Sequence, residues 1–223
     1  MMKAKDFERM IQTDLKTISF QKKKYLFVKQ LDENTSGTIG FVIASHRIPG
    51  VLFINPVVGV FHKQIEELYS KLTGRDTVKM CFPVISRPIG YLTPANEYME
   101  WEYSEKLNID EINADILDTI KKFGLPFIEK YRNQDDLLKC IEERKYILND
   151  VKDYRLPILY YLRGEKQKGL EAIEASIERQ KKPIDISSIP KFSGFFEDMI
   201  TIGSGNSTVD PEFLKFVEKY KAL

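Results

Sequence analysis

Residues Gly90–Phe127, GYLTPANEYMEWEYSEKLNIDEINADILDTIKKFGLPF, decide the fold. A turn passes into an alternating stretch in which Met99, Trp101 and Tyr103 oppose Tyr98, Glu100 and Glu102. That alternation is a strand with one apolar and one acidic side. Asn108 and Glu111 then stand at capping-box spacing, and Ile109, Ile112, Ile116, Ile120 and Phe123 line one side of the helix that follows. Gly124 is expected to stop that helix, and Pro126 to open another short one at its first position. The isoleucine stripe is placed to cover Trp101, the sole tryptophan. Trp101 is therefore expected to be a buried anchor between sheet and helix rather than a ligand platform.

Toward the N-terminus, Phe7, Met10, Ile11, Leu15 and Ile18 recur at helical spacing, which predicts an amphipathic helix over 4–18. Lys22-Lys23-Lys24 leads into a strand at 25–31, and the turn formers of 32–37 predict a hairpin loop. Ile39, Phe41 and Ile43 alternate as a half-buried strand. After Arg47-Ile48-Pro49-Gly50 comes a long β-branched and aromatic run over 51–61, where Pro56 implies an edge, a bulge or a break. Ile65, Leu68, Tyr69 and Leu72 form a helix closed by Gly74. Val78, Met80 and Phe82 read as a further strand, and Pro83, Pro88, Gly90 and Pro94 as a long irregular connection.

Toward the C-terminus, Leu137, Leu138 and Ile141 continue a helical pattern to about Arg144. A helix–turn–helix spans 156–180 around Gly164. Residues 156–183 are similar to part of a tetratricopeptide repeat, with Gly169 where that repeat usually has alanine. One such unit cannot bury its own face, so a helical hairpin packed on the sheet domain is expected. Residues 183–208 read as an irregular arm, and Asp210-Pro211 as the start of a final helix docked through Phe213, Val217 and Tyr220. Strands without crossover helices, followed by helices, predict an α+β fold with a mainly antiparallel sheet and a C-terminal helical extension. The expected division is 1–145 for the sheet domain and 146–223 for the hairpin, arm and terminal helix.

The chain has 34 basic and 33 acidic residues and a formal net charge of +1. That balance gives no global attraction to nucleic acid or to an anionic membrane. Cys81 and Cys140 stand too far apart for a metal-ligand spacing or a disulfide framework and read as small buried hydrophobes. No segment approaches the length of a membrane span and no signal-peptide pattern opens the sequence, so a cytoplasmic location is expected. The Asn34-Thr35-Ser36 and Asn206-Ser207-Thr208 glycosylation patterns are then coincidences.

No motif assembles a reaction. His46 and His62 have no His or Cys partner at ligand spacing, and no serine or cysteine has a nucleophile's surroundings. Gly203-Ser204-Gly205-Asn206-Ser207 precedes a helix but lacks the lysine and the preceding strand of a phosphate loop, and reads as a hinge. Tyr91, Tyr98, Trp101 and Tyr103 could stack bases, but Glu97, Glu100, Glu102 and Glu105 would repel phosphates. The Glu100/Glu102 pair lacks the cleft that glycosidase carboxylates need. What remains is a charge polarity, acidic over 97–118 and basic over 1–30, of the kind that steers a charged protein partner.

The N-terminal helix, Phe20-Gln21-Lys22-Lys23-Lys24 before the first strand, the Trp101 strand and Gly124-Leu125-Pro126-Phe127 together resemble a bacterial family of domains of unknown function. The resemblance covers residues 4–145. It implies the helix–sheet–helix order, carries no catalytic residues, and implies an immunity-type binding role through relatives in polymorphic-toxin neighbourhoods. The expectation is a non-catalytic protein-binding module, with Tyr98, Glu100 and Glu102 meeting another protein such as a basic toxin, and no nucleic acid, membrane, metal or cofactor. The competing expectation is an enzyme or small-ligand binder with a pocket between sheet and C-terminal arm, built from His46, Arg47, His62 and Arg87.

Overall fold

The β-branched run that follows Gly50 becomes the central strand of the molecule. A computed structural model describes residues 3–143, 149–182 and 209–223. The arm expected over 183–208, its Gly203–Ser207 segment and the helix end at Arg144 lie outside the described residues. The fold is α+β, with an antiparallel six-stranded sheet. Its strands are β1 (Gln21–Lys23), β2 (Leu26–Gln30), β3 (Thr35–Ala44), β4 (Leu52–His62), β5 (Ile85–Pro88) and β6 (Trp101–Tyr103). They run β1-β2-β3-β4-β5 across the sheet, and β6 also pairs with β4.

Pro56 does not break β4. β6 pairs with Leu52–Ile54 and β5 with Val57–Val60, so Pro56 falls in the gap between two short partners on one side. A residue with no N–H is tolerated where the ladder is interrupted, and here the interruption lies in the neighbouring strands. The hairpin loop is also shorter than expected. Asp32 Oδ1 accepts from the N–H groups of Asn34 at 2.9 Å and Thr35 at 2.8 Å, closing the turn so that β3 starts at Thr35.

Residues paired across strands share a face, and successive residues alternate. On one face Leu52, Ile54, Val58 and Val60 of β4 join Ile39 and Phe41 of β3, with Tyr103 opposite Leu52 and Trp101 opposite Ile54. Helices α1 (Ala4–Thr17), α3 (Ile109–Thr119) and α4 (Leu125–Arg132) cover this face. The Phe7 ring meets Phe41 and Tyr103 edge-on, each with centroids 5.0 Å apart. Trp101 is 8% exposed, and its Nε1–H donates to Asp115 Oδ2 on α3 at 2.6 Å. It is the buried link between sheet and helix.

Five local expectations are corrected. Asn108 is the N-cap of α3, but its side chain accepts no capping hydrogen bond. Gly124 does not end the helix: a π-helical turn, Ile120–Gly124, carries α3 into α4. Pro126 offers no N–H and its ring crowds the carbonyl four residues earlier. A widened turn just before it accommodates both effects. Gly124 instead permits close approach, since a Cβ there would lie 3.0 Å from Val58 Cγ1. The strand expected at 78–82 is a series of turns with Cys81 at φ 52°, because β4 already has β5 as its neighbour. The expected irregular connection contains β5 and a short 3₁₀ turn, Ile89–Leu92, and the Trp strand begins at Trp101 rather than Met99.

The later helices are α2 (Lys63–Thr73), α5 (Gln134–Glu142), α6 (Asn149–Leu162), α7 (Lys166–Lys181) and α8 (Pro211–Lys221). Tyr69 of α2, Tyr154 of α6 and Phe213 and Phe216 of α8 form one aromatic cluster. Inside it Glu66 accepts two hydrogen bonds from the Arg155 guanidinium, at 3.0 and 3.3 Å, and that guanidinium lies 3.7 Å from the Tyr69 ring centroid. Tyr220 donates its hydroxyl to the carbonyl of Pro157 at 2.9 Å, and burial pushes its pKa up to about 12. His62, 2% exposed, donates from Nε2 to the Tyr131 carbonyl at 2.8 Å, tying the end of β4 to α4. Among the described residues no helix is long and apolar enough to cross a membrane.

Trp101→Ala should cost about 3–5 kcal/mol, as for large aromatic truncations in cores, measured by urea unfolding. The folded wild type should fluoresce blue of free indole and resist iodide quenching.

Gly169→Ala separates two effects of opposite sign. Helix propensity alone would stabilise by about 1 kcal/mol, but the new Cβ would lie 1.9 Å from the Tyr220 hydroxyl oxygen. Because the Tyr220 ring is fully buried, a net loss of about 1–3 kcal/mol is expected. The same Gly169→Ala change made in a Tyr220→Phe background should cost less than it does in wild type.

Burial depresses the His62 pKa, against weaker opposing effects from the Tyr131 carbonyl, Asp32 and Glu66. The unfolded chain then takes up a proton near pH 6.5 while the folded one does not, so this contribution is lost as pH falls below about 6.5. His62→Gln should show a shallower loss of stability than wild type between neutral and mildly acidic pH, measured by urea unfolding. Parallel curves would remove His62 from the account.

Candidate interaction surface on the open face of the sheet

The second face of the sheet carries the alternate residues: Thr38, Gly40 and Val42 of β3, Phe53, Asn55, Val57, Gly59 and Phe61 of β4, Ser86 of β5 and Glu102 of β6. Part of it is covered by residues 76–84. Pro83 sits so close to Gly59 that a Cβ there would lie 2.7 Å from the Pro83 Cβ. Lys23 Nζ donates to Cys81 Sγ at 3.0 Å. Phe53, Asn55 and Phe61 on this side are buried, but around Tyr25 and Val42 the face is open. A groove of about 330 Å³ runs across it, lined by Tyr25, Leu26, Gly40, Val42, Val57 and Met80, with Phe82, Pro83 and Ser86 completing the wall.

The exposure of the groove's side chains decides its interest. Tyr25 is 85% exposed, Val42 59%, Phe82 52% and Met80 39%. Single exposed apolar residues are ordinary, but four contiguous around one concavity are the signature of a contact surface. Gly40 leaves the floor flat, since a Cβ there would meet Leu26 Cδ2 at 3.0 Å.

Tyr98, Glu100 and Glu102 border this same face. Glu102 is exposed and stands opposite Phe53. Glu100 is not a free acid: Arg47 Nη1 donates to its Oε1 at 2.5 Å and Tyr98 donates its hydroxyl to its Oε2 at 2.7 Å. The Arg47 guanidinium also lies 4.9 Å from the Phe53 ring centroid. Hydrogen bonds to Tyr98 and Glu100 raise its pKa above the ordinary arginine value. Arg47 thus joins the acidic group in a small polar cluster beside the apolar groove.

The structure does not bring His46, Arg47, His62 and Arg87 together, and the arm expected to close a pocket over them lies outside the described residues. His46 is exposed in the β3–β4 connection, beside Arg47 at the Phe53 end of β4. His62 lies buried at the other end of β4, nine residues on and so about 30 Å away at strand rise. Arg87 stands opposite Val58, on the helix-covered face, with its guanidinium 4.7 Å from the Tyr91 ring centroid. Residues at strand ends shared a sequence signature but not a place. Among the described residues no group of three or more His, Cys, Asp or Glu side chains could hold a metal ion.

The groove residues Tyr25, Val42, Met80 and Phe82 were not singled out from the sequence. A signal was present in β3, where Val42 interrupts the polar side of the Ile39, Phe41, Ile43 alternation. In β4, Phe53, Val57 and Phe61 likewise fill the side away from the helices. Apolar residues on both sides of a strand mark two contact faces, and among the described residues helices cover one of them. Comparison of the chain with protein-family models, with curated proteins and with solved structures finds no match.

Proposed function

We propose that the protein acts by binding another protein through the open face of its sheet. The observation that carries this reading is the exposed apolar groove of Tyr25, Val42, Met80 and Phe82 beside the acidic group of Tyr98, Glu100 and Glu102. Aromatic and methionine side chains at the centre with charge at the rim is the anatomy of a protein contact. The acidic end of this rim, at Glu102, favours a basic patch on the partner and accelerates its approach. An immunity-type role against a basic toxin domain is the narrower form of the reading, and it rests on the resemblance of residues 4–145 alone.

The test is affinity capture from the native host, comparing wild type with Val42→Asp/Phe82→Asp. A stoichiometric basic protein is expected with wild type, released by salt and lost from the groove variant. Glu102→Lys should reduce the association rate with that protein by about tenfold at low salt. No stoichiometric partner, or capture indifferent to the groove variant, overturns the reading.

A further inference from the structure

Resting on the reading of the open face as a binding surface, we infer that in the free protein this face is covered by a second copy of the chain. The two sheets stack face to face about a two-fold axis parallel to their strands. The motive is the charge at the two edges of the sheet. β6 forms one edge and carries exposed Glu102. β1 forms the opposite edge. Exposed Lys24 lies in the β1–β2 turn beside Tyr25, and exposed Lys79 adjoins Met80 on the groove wall. The apolar groove lies between these edges.

Face-to-face stacking of identical sheets places the two-fold axis in the plane between them. An axis across the strands sets each edge over the same edge of the other copy, so Glu102 meets no lysine of the opposite edge. An axis along the strands exchanges the edges, so Glu102 of one copy faces Lys24 and Lys79 of the other while the two grooves meet. Only the second arrangement satisfies the charges, and it covers Tyr25, Val42 and Phe82, which stand exposed in the single chain. A protein partner would then have to displace the second copy, making dimer dissociation a step on the way to partner binding.

The test is sedimentation equilibrium of the full chain across concentration and salt. A monomer–dimer equilibrium that weakens with salt is expected. Val42→Asp should abolish the dimer without altering the circular dichroism, because Val42 is exposed. Glu102→Lys and the pair Lys24→Glu/Lys79→Glu should each raise the dimer Kd by about tenfold or more, and their combination should restore it. A monomer at all concentrations, a dimer unmoved by Val42→Asp, or a combined reversal no tighter than the single ones overturns the inference. A monomer that still captures a basic protein through the groove leaves the proposed function standing. A dimer with the expected charge rescue that captures nothing sinks that function and leaves the self-association.

Discussion

The dry row along β4 is the constraint to which the rest of the molecule answers. Leu52, Ile54, Val58 and Val60 must all be covered at once, and a straight strand can be covered along its length only by helices that come very close. Two glycines make that approach available. A Cβ at Gly37 of β3 would lie 2.8 Å from Ile128 Cγ2 of α4, and Gly124 sits against Val58 itself. The π-helical turn at Ile120–Gly124 follows from the same demand. It lets α3 bear on Trp101 and α4 on the far half of β4 without a loop between them. Packing at this closeness leaves little room for voids, which is where large-to-small changes are felt most.

The C-terminal helices answer a different constraint. Glu66 is fully buried on α2, and its charge is met by Arg155 of α6. Desolvating the two charges is costly, and their value depends on both being present and on the bidentate geometry. The pair is therefore better understood as fixing where α6 sits on α2 than as a large net source of stability. Tyr69, Tyr154, Phe213 and Phe216 supply apolar burial around it. The Tyr220 hydroxyl, held by the Pro157 carbonyl, sets how closely α7 can pass, which explains glycine at position 169.

The parts of this fold legible in the sequence were those governed by local periodicity. The α1 stripe of Phe7, Ile11 and Leu15, the Trp101–Tyr103 alternation and the Asp210-Pro211 helix start each depend on neighbours in the chain, and each stands where the pattern put it. The misreadings came where a pattern needed a distant partner. Val78, Met80 and Phe82 alternate as a strand would, but β5 already lies beside that half of β4, and the segment folds over the open face instead. The acidic side of the Trp101 strand shows nothing of Arg47, which holds Glu100 from 53 residues away. The candidate surface was half legible for the same reason. Tyr98, Glu100 and Glu102 advertise themselves through charge, whereas the groove appears only once β2, β3 and residues 80–83 are brought side by side.

The interruption opposite Pro56 has a consequence for how this sheet meets other molecules. The long strand β4 and the first half of β3 lie inside the sheet, and most of its edges are held by β1, β5 and β6, which are three, four and three residues long. β5 ends in proline and β1 carries Lys22 and Lys23. Short, charged or proline-ended edges give an extended peptide little to pair with. Among the described residues, backbone recognition by strand addition is thereby confined to Gly40–Ala44 of β3, the one stretch of a long strand with no strand partner on its outer side. Whatever docks on the open face is read through side-chain shape and charge, so its selectivity rests on a handful of replaceable residues and can drift in evolution while the ladder beneath stays unchanged.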